Sequence, residues 1–345
     1  MRRYHFNGKG VDALELRDDP IPEPAHGQVL VRVRANSLNQ RDLMVLRGVL
    51  PLAPDVVPLS DGAGEVIAVG PGVRRVGVGD RVVAAFRQGW VSGKLDPALR
   101  GAADLGAAID GMLGEWALLR EDGVVLIPPQ MSFEAAACFP CAGVTAWSAL
   151  MAGRSVRPGE TVLVQGTGGV SLFALQIALA VGARVIATTS TAEKADRLRA
   201  LGAFDVVNYK ENPEWDCAVR DLTDGRGVDR VVEVGGAGTL PRSMRCTRLQ
   251  GRIALVGLLD SPSAQINPMG FISGVLTMHG ISVGCRVDLE DLIATYSANK
   301  LTPIVDQLFN FENAKAAYRH LDGKKHFGKV VITHRAGVEN MNGTH

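Results

Sequence analysis

The pattern of hydrophobic and polar residues divides the chain into two parts. Up to about residue 128 it favours β-strands: residues 28–38, QVLVRVRANSL, alternate apolar and polar side chains as a half-buried strand does. Three further strand patterns follow, separated by glycine, proline and aspartate turns: GEVIAVG, GDRVVAAF and EWALLREDGVVLIP. Parallel βαβ units are absent here, so this part is predicted to be a many-stranded, barrel-like antiparallel domain.

From about residue 132 the pattern changes to short valine-rich strands that alternate with helical segments. The first strand and helix are TVLVQG and SLFALQIALAVG, and five more strands follow with helices between them. Such alternation predicts a parallel, doubly wound sheet. Two amphipathic helices, LEDLIATYSANK and ENAKAAYRHLDG, and a final strand, FGKVVIT, complete the chain before a polar tail.

Residues 86–114 form a glycine-rich stretch without clear periodicity. A long irregular loop in a compact domain is often a lid or a binding loop. A plain surface excursion fits the same pattern, and the sequence does not separate the two interpretations.

Length and charge narrow the class of protein. A chain of 345 residues predicts two domains. With 37 basic and 36 acidic residues and no basic block, nucleic acid and anionic membranes are not expected partners. The apolar runs are too short to span a membrane, and no apolar segment follows the charged N-terminus, so we expect no secretory signal and a cytoplasmic location.

The five cysteines do not indicate a disulfide framework or a metal site. Their number is odd, and only Cys138 and Cys141 lie close together, in a CFPC segment within an alanine-rich helical stretch. We expect free thiols, with this pair packed in the interior.

The stretch TVLVQGTGGVSLFALQIALAVG predicts a dinucleotide site. A strand that runs through a glycine loop into a helix places a pyrophosphate at the helix N-terminus. Gly166 allows the tight turn, Gly168 lets the backbone approach the phosphates, and Ser171 occupies the third motif position, where glycine or alanine is usual. The loop residues expected to bind the coenzyme are Gly166, Thr167, Gly168, Gly169 and Val170.

The end of the second strand of this unit favours NADPH over NADH. NAD sites usually carry an acidic residue there, whereas this chain has Thr189 and Ser190, followed by Lys194. Hydroxyls and a lysine accept a 2′-phosphate that a carboxylate would repel. Lys194 and Arg197 also fit the role of solvated helix charges, and Glu193 weakens the preference.

From about residue 10 to 332, the chain resembles the medium-chain dehydrogenase/reductase superfamily. The stretches that carry the resemblance are GEVIAVGPGVRRVGVGDRV, CAGVTAWSAL, VLVQGTGGVSLFALQIA and FGKVVI. The resemblance implies an α/β two-domain fold. Residues 1–128 and 285–345 would form a GroES-like β-rich catalytic domain, and residues 129–284 a Rossmann domain.

The positions that bind catalytic zinc in relatives are altered in this chain. They hold Asn39, Ser60 with Asp61, and Cys141, and residues 86–114 lack the cysteines of a structural zinc lobe. Because zinc prefers nitrogen and sulfur ligands, we expect no zinc. The zinc-free branch with the quinone oxidoreductases and enone reductases is a closer match: Asn39 corresponds to its site asparagine, although Met44 replaces a tyrosine often found there.

The resemblance also implies roles for single residues. Asn39 and Asp61 are the candidate catalytic residues. Asp61 would orient a water or substrate hydroxyl, or have the structural role of accepting amides of a Gly-Ala-Gly turn. Asp42 would support the loop through Arg41 or Arg47. The remaining coenzyme contacts would come from Thr145, Tyr209, Gly235, Gly257, Val283 and Lys329, the last at the pyrophosphate.

The sequence is compatible with three functions. The first is an NADPH-dependent, zinc-free reductase that transfers hydride to a small quinone or an α,β-unsaturated carbonyl. The second is a zinc-free alcohol dehydrogenase or ketone reductase, with Asp61 as the acid–base group. The third is a non-catalytic NADPH binder. The resemblance further implies a homodimer that pairs through the last strand of the Rossmann sheet.

Overall fold

A computed structural model of the protein describes residues 1–257 and 266–334. The chain forms two compact units. Of the described residues, the first contains Met1–Cys141, Cys285–Val287 and 305–334, and the second contains 142–257, 266–284 and Asp288–Ile304.

The segment Asp288–Ile304 belongs to the second unit, which differs from the predicted assignment of 285–345 to the first domain. It carries most of a helix whose buried Tyr296 donates a hydrogen bond to Gln176 Oε1 at 2.9 Å. The Tyr296 ring also packs on Phe173, with 5.6 Å between ring centroids. Amphipathic periodicity shows that a helix has an apolar face but not which unit covers that face, so the sequence alone does not assign the segment.

The first unit contains a seven-stranded sheet and a separate two-stranded ribbon. The ribbon is β1 (Arg2–Phe6) and β2 (Leu14–Asp18). In the sheet, β14 pairs with β15, β15 with β3, β3 with β4, β4 with β5, β5 with β7, and β6 with β3. The bounds of its strands are β3 Gln28–Leu38, β4 Asp61–Val69, β5 Arg81–Ala84, β6 Trp116–Arg120, β7 Val124–Leu126, β14 Val305–Asn310 and β15 Lys329–Thr333.

These pairs are antiparallel except β14 with β15, which is parallel. The alternating stretch QVLVRVRANSL is β3, as predicted, and its inward-facing valines form part of a buried core. The helices of this unit are short; they are α1 Gln40–Leu46, α2 Phe133–Ala136 and α10 Ala314–Asp322.

The predicted Gly-Ala-Gly turn is wrong, because residues 61–64 are the first part of strand β4. Gly62 pairs with Asn36 and Gly64 with Val33 across the sheet. A Cβ at Gly64 would lie 2.0 Å from the carbonyl oxygen of Arg32. The glycines are therefore required for close approach between strands.

The second unit is a six-stranded parallel sheet, which confirms the doubly wound prediction. The spatial order of its strands is β10, β9, β8, β11, β12, β13. Their bounds are β8 Thr161–Gln165, β9 Arg184–Thr189, β10 Asp205–Asn208, β11 Val228–Glu233, β12 Thr247–Leu255 and β13 Thr277–Gly280. β8 and β11 are buried along their whole length, as expected for valine-rich strands covered on both faces.

Helices precede, connect and follow these strands along the chain. Their bounds are α3 Val144–Met151, α4 Gly169–Val181, α5 Ala192–Ala200, α6 Trp215–Asp221, α7 Leu240–Cys246, α8 Met269–Gly274 and α9 Arg286–Ala298. The CFPC segment precedes α3, and Phe139–Gly143 forms one wide π-type turn. Within the described ranges, none of the helices combines the length and the apolarity that crossing a membrane requires.

An arginine stabilises the core of the second unit by capping a helix. Arg230, on β11, has no exposed surface. Its guanidinium donates to the carbonyl oxygens of Ala149 and Leu150, at 2.8 and 2.7 Å, and to that of Arg154. Burial lowers the pKa of Arg230 to about 10. Carbonyls in the last turn of α3 thus accept hydrogen bonds from a cation, which the helix dipole also favours.

We predict that Arg230→Met lowers the free energy of unfolding by about 3 kcal/mol, because three backbone carbonyls lose the charged donor that Arg230 provides. Urea denaturation followed by circular dichroism measures this change. The control is Arg199→Met, which removes a half-exposed arginine with a surface ion pair and should change stability by less than ~1 kcal/mol. Equal midpoints for both variants would contradict the capping role.

Candidate functional site

A buried polar cluster in the first unit contains both candidate catalytic residues. Asn39 Nδ2 donates to Asp61 Oδ2 at 2.9 Å. Lys329 Nζ donates to Asn39 Oδ1 at 2.5 Å and to the carbonyl oxygen of Leu38 at 2.7 Å, and lies 4.0 Å from Asp61 Oδ2. Asn39, Asp61 and Lys329 are 8%, 0% and 3% exposed. We call these three residues the Asn39 cluster.

Asn39 is placed by the start of helix α1. It is the N-cap residue, and its backbone N–H donates to Asp42 Oδ2 at 2.8 Å. Arg41 donates to the other carboxylate oxygen of Asp42 at 3.1 Å. Burial raises the pKa of Asp42 to about 6, and the charge of Arg41 opposes that shift. The expected support of the loop through Arg41 is therefore present, whereas Arg47 pairs with Asp322.

Asp61 is the first residue of β4, and both of its oxygens accept hydrogen bonds. Besides Asn39, its donors are the hydroxyl of Ser60 at 2.8 Å and the backbone N–H of Cys141 at 3.3 Å. Burial raises the pKa of the Asp61 carboxyl, and the charge of Lys329 opposes that shift. The expectation that Asp61 accepts amides of its own turn is wrong, since the amide it accepts lies 80 residues away.

The backbone immediately before Ser60 has an unusual conformation. Leu59 has a φ of 69°, in the left-handed region that leucine rarely adopts, and its side chain is fully buried. Met112 N donates to Leu59 O at 2.8 Å, and Gly111 N donates to Val57 O at 2.6 Å. A Cβ at Gly111 would lie 2.0 Å from Leu59 O. The end of the irregular 86–114 stretch thus packs against residues 57–59 and fixes the direction in which the chain enters Ser60 and Asp61.

The donor set of the Asn39 cluster does not fit catalytic zinc. Such a site needs three protein ligands from His, Cys and carboxylates, and here Asn39 and Ser60 put an amide and a hydroxyl at two of the corresponding positions, which leaves only Asp61 and Cys141. The Asn39 oxygen accepts a lysine ammonium, a cation that would repel a metal. Among residues 1–257 and 266–334, no three His, Cys, Asp or Glu side chains are grouped to hold a metal ion.

In the second unit, the predicted glycine loop joins β8 to α4. Gly166 has a φ of 70°, and Gly168 caps α4, which begins at Gly169 and continues through Val170. A Cβ at Gly166 or Gly168 would meet no atom within 4 Å, so the space above the loop is open. Ser171 is accommodated in the third motif position because its hydroxyl donates to Gln165 O at 2.6 Å. A half-buried helix N-terminus beside open glycine backbone fits a pyrophosphate.

The other predicted coenzyme residues of this unit lie mostly at the carboxyl ends of the strands. Thr189 ends β9 and pairs with Asn208, Ser190 follows it, and Tyr209 N donates to Thr189 O at 2.9 Å. Lys194 is half-buried in the first turn of α5. Parallel strands bring their carboxyl ends to one edge of the sheet, where ligands bind in open α/β sheets.

Three further predicted residues do not form the last residue of a strand. Thr145 is buried on α3, and Val283 follows β13 with a φ of 57°, which is strained for a β-branched residue. Lys329, which is predicted to contact the pyrophosphate, places its ammonium in the Asn39 cluster. Contact of these three residues with a coenzyme stays a prediction.

Gly235 and Gly257 follow β11 and β12, where a buried acid holds them. Glu233 accepts the Gly235 amide with Oε1 at 2.9 Å and the Gly257 amide with its carbonyl oxygen at 3.3 Å. Sequence reasoning did not identify Glu233. The feature that could have indicated it is an ionisable residue at the end of a valine-rich strand, separated by one residue from two consecutive glycines.

Two family models match the chain. One, described as an alcohol dehydrogenase GroES-like domain, matches residues 25–129, and the other, described as a zinc-binding dehydrogenase, matches residues 169–298. The matches fall on the first and the second unit respectively, apart from residues 285–287 of the second match, which belong to the first unit.

Full-length relatives agree with the family models. A zinc-type alcohol dehydrogenase-like protein of Schizosaccharomyces pombe is 40% identical over 95% of this chain and 97% of its own length. An acryloyl-coenzyme A reductase of Metallosphaera sedula is 29% identical over 92% of this chain and 96% of its own.

Solved structures show the same similarity. A crystal structure from Sinorhizobium meliloti 1021 has 40% identity and a TM-score of 0.89, covering 96% of this chain and 98% of that one. An NAD-dependent alcohol dehydrogenase has 35% identity and a TM-score of 0.89, covering 96% and 99%. A mycobacterial protein in complex with NADPH has 29% identity and a TM-score of 0.81, also covering 96% and 99%. On this evidence the chain belongs to the medium-chain dehydrogenase/reductase superfamily of NAD(P)H-dependent oxidoreductases.

Proposed function

We propose that this protein is an NADPH-dependent reductase that transfers hydride to a small quinone or an α,β-unsaturated carbonyl without zinc. The observation that carries the proposal is the fixed orientation of the Asn39 amide inside the Asn39 cluster. The coenzyme supplies the hydride, and the chain supplies binding, orientation and a hydrogen bond to the acceptor.

Two neighbours fix this amide. A lysine ammonium only donates, so it must face the oxygen, whereas an ionised carboxylate only accepts, so it must face the nitrogen. Lys329 and Asp61 satisfy these two conditions at 2.5 and 2.9 Å. One N–H of Asn39 is thereby used by Asp61, and its second N–H is left to donate to a substrate oxygen.

A conjugated acceptor suits such a site. Hydride addition to a quinone or an enone spreads the developing negative charge over the conjugated system, so a positioned hydrogen-bond donor stabilises it without a metal ion. An acryloyl-coenzyme A reductase, whose name describes a conjugated substrate, is among the relatives. Asp61 would act through Asn39, because its own oxygens are occupied and it has no exposed surface.

Coenzyme binding is assigned to the second unit. Gly166, Thr167, Gly168, Gly169 and Val170 would hold the pyrophosphate, and Gly235 and Gly257 would let the backbone pass close to the coenzyme. Thr189, Ser190 and Lys194 favour the 2′-phosphate of NADPH, and a relative solved with NADPH supports this choice. Because another relative is an NAD-dependent alcohol dehydrogenase, the preference for NADPH over NADH is tested below by direct measurement.

A second candidate is a zinc-free alcohol dehydrogenase or ketone reductase. It is favoured by the relatives named alcohol dehydrogenases and by the raised pKa of Asp61, which brings that carboxyl closer to the range useful for proton transfer. It requires Asp61 to exchange a proton with substrate, directly or through Ser60.

We also propose a homodimer and a cytoplasmic location. Among the described residues, β13 is the last strand at one edge of the six-stranded sheet. One side of β13 pairs with Arg252–Leu255 of β12, and no described strand pairs with its other side. An unpaired edge can add the same strand of a second copy.

We predict that purified protein treated with a chelator such as EDTA oxidises NADPH in the presence of a quinone or an enone. Absorbance at the coenzyme band measures turnover, and the expected rate is unchanged by chelation because the Asn39 cluster has no zinc donor set. Turnover that appears only after zinc is added would contradict the zinc-free site. Tight NADPH binding without turnover on a wide acceptor panel would indicate a non-catalytic binder instead.

We predict that Asn39→Ala lowers kcat/KM for the acceptor by about 10²-fold, because one positioned donor to the developing charge is lost. The dissociation constant of NADPH should not change, since no coenzyme loop is altered. An effect on coenzyme binding alone would contradict the role of the amide.

Asp61→Asn separates the two candidate reactions. An asparagine at 61 still offers an oxygen to Asn39 Nδ2, so we expect quinone or enone reduction to remain within about tenfold of wild type. Under the second candidate, alcohol–ketone exchange would be abolished while NADPH still binds. Steady-state assays with matched enone and ketone substrates measure both reactions.

We predict that NADPH binds at least about tenfold more tightly than NADH, and that Lys194→Ala removes most of this difference by weakening NADPH alone. Fluorescence titrations with both coenzymes measure the ratio. Arg199→Ala, on the same helix, is the control and should leave the ratio unchanged. A clear preference for NADH would contradict the proposal that Thr189, Ser190 and Lys194 favour a 2′-phosphate.

A further inference from the structure

The carboxylate of Glu233 is the centre of a buried network in the second unit. Glu233 is the last residue of β11 and has no exposed surface. Its Oε1 accepts the backbone amides of Gly235 and Gly236, both at 2.9 Å, and the hydroxyl of Thr239 at 2.5 Å. One oxygen therefore holds the whole turn that leads from β11 towards α7.

The other oxygen connects this turn to the neighbouring strand β8. Glu233 Oε2 accepts Gln165 Nε2 at 2.9 Å and the hydroxyl of Ser243. Gln165 Oε1 in turn accepts the amides of Val234 and Gly235, at 3.2 and 3.4 Å. The two side chains are thus bonded to each other, and each also holds the backbone just after Glu233.

Their backbone carbonyls extend the network to two further segments. Glu233 O accepts the amides of Val256 and Gly257, at 2.8 and 3.3 Å, where β12 has ended. Gln165 O accepts the Ser171 hydroxyl, which ties the start of α4 to the end of β8. Glu233 and Gln165 therefore fix the carboxyl ends of three adjacent strands.

We infer that Glu233 and Gln165 form a positioning pair that sets the affinity for the nicotinamide coenzyme. They hold the loops that carry Gly166, Gly235 and Gly257, the glycines assigned to coenzyme contact. The inference rests on the proposed function, because it takes these loops to be the coenzyme site. Neither side chain takes part in hydride transfer, so the pair acts on binding and not on the chemical step.

The pairing has a specific chemical requirement. Every group around the Glu233 carboxylate donates, and backbone amides cannot reverse their role, so position 233 must accept on both oxygens. In Glu233→Gln the new amide nitrogen would face Gln165 Nε2, and two donors would meet. Exchanging the two residues, Glu233→Gln with Gln165→Glu, restores one donor opposite one acceptor and leaves an acceptor for each backbone amide.

The test measures NADPH dissociation constants and steady-state kinetics on the full-length protein. For Glu233→Gln we expect NADPH to bind about tenfold more weakly, while kcat at saturating coenzyme stays within about threefold of wild type. The double exchange should return the dissociation constant to within about threefold of wild type, and Gln165→Glu alone should not, because it places two carboxylates together.

Asp229 provides a matched control on the same strand. It is a nearly buried carboxylate near the opposite end of β11, where it accepts the Thr161 amide at 2.8 Å and pairs with Arg226 and Arg248. Asp229→Asn should lower the urea midpoint but leave NADPH affinity unchanged. A loss of affinity equal to that of Glu233→Gln would mean that general destabilisation explains both, and would overturn the inference.

Two further results would overturn the inference. One is a change of less than about twofold in the NADPH dissociation constant of Glu233→Gln, and the other is a double exchange that binds NADPH no better than Glu233→Gln alone. If Glu233→Gln does not fold, Thr239→Val removes one donor to Oε1 with little change of shape, and unchanged NADPH affinity in that variant would overturn the inference. Wild-type protein that binds neither NADPH nor NADH would overturn the proposed function itself, which separates the two failures.

Discussion

The buried ammonium of Lys329 is the constraint on which the polar cluster of the first unit depends. A lysine that is 3% exposed has lost most of its hydration, and that loss is compensated only by acceptors at close range. The carbonyl of Leu38 and the amide oxygen of Asn39 accept its hydrogen bonds, and the carboxylate of Asp61, 4.0 Å away, supplies a charge of opposite sign. The orientation of Asn39 follows, since its oxygen must face the cation.

The second unit uses the same principle with the opposite sign of charge. Glu233 is a buried acceptor, and the groups that satisfy it are the amides and hydroxyls of the loops around it. In both units a buried polar residue at the end of a strand determines the geometry of groups beyond that strand. Such networks are sensitive to substitution, because an unsatisfied buried partner costs more than the hydrogen bond it made.

Periodicity in the sequence was sufficient for most of the secondary structure and for the parallel sheet, because buried and half-buried strands leave different apolar patterns. The glycine loop was found because strand, loop and helix are contiguous. What the sequence did not reveal are contacts between distant residues: Lys329 meets Asn39 across 290 positions, and Asp61 meets the amide of Cys141 across 80. The Gly-Ala-Gly segment was misread for the same reason, since the demand for glycine comes from the neighbouring strand.

The left-handed leucine before Ser60 has a consequence for how the first unit folds. Leu59 adopts its unfavourable φ only while Met112 and Gly111 hold the adjoining carbonyls, so neither segment is stable in its native shape without the other. Closure of the stretch that ends near residue 113 and the final geometry at Asp61 are therefore one cooperative event. Exchange of the Gly111 and Met112 amides with solvent deuterium thus reports directly on when the neighbourhood of Asp61 becomes native.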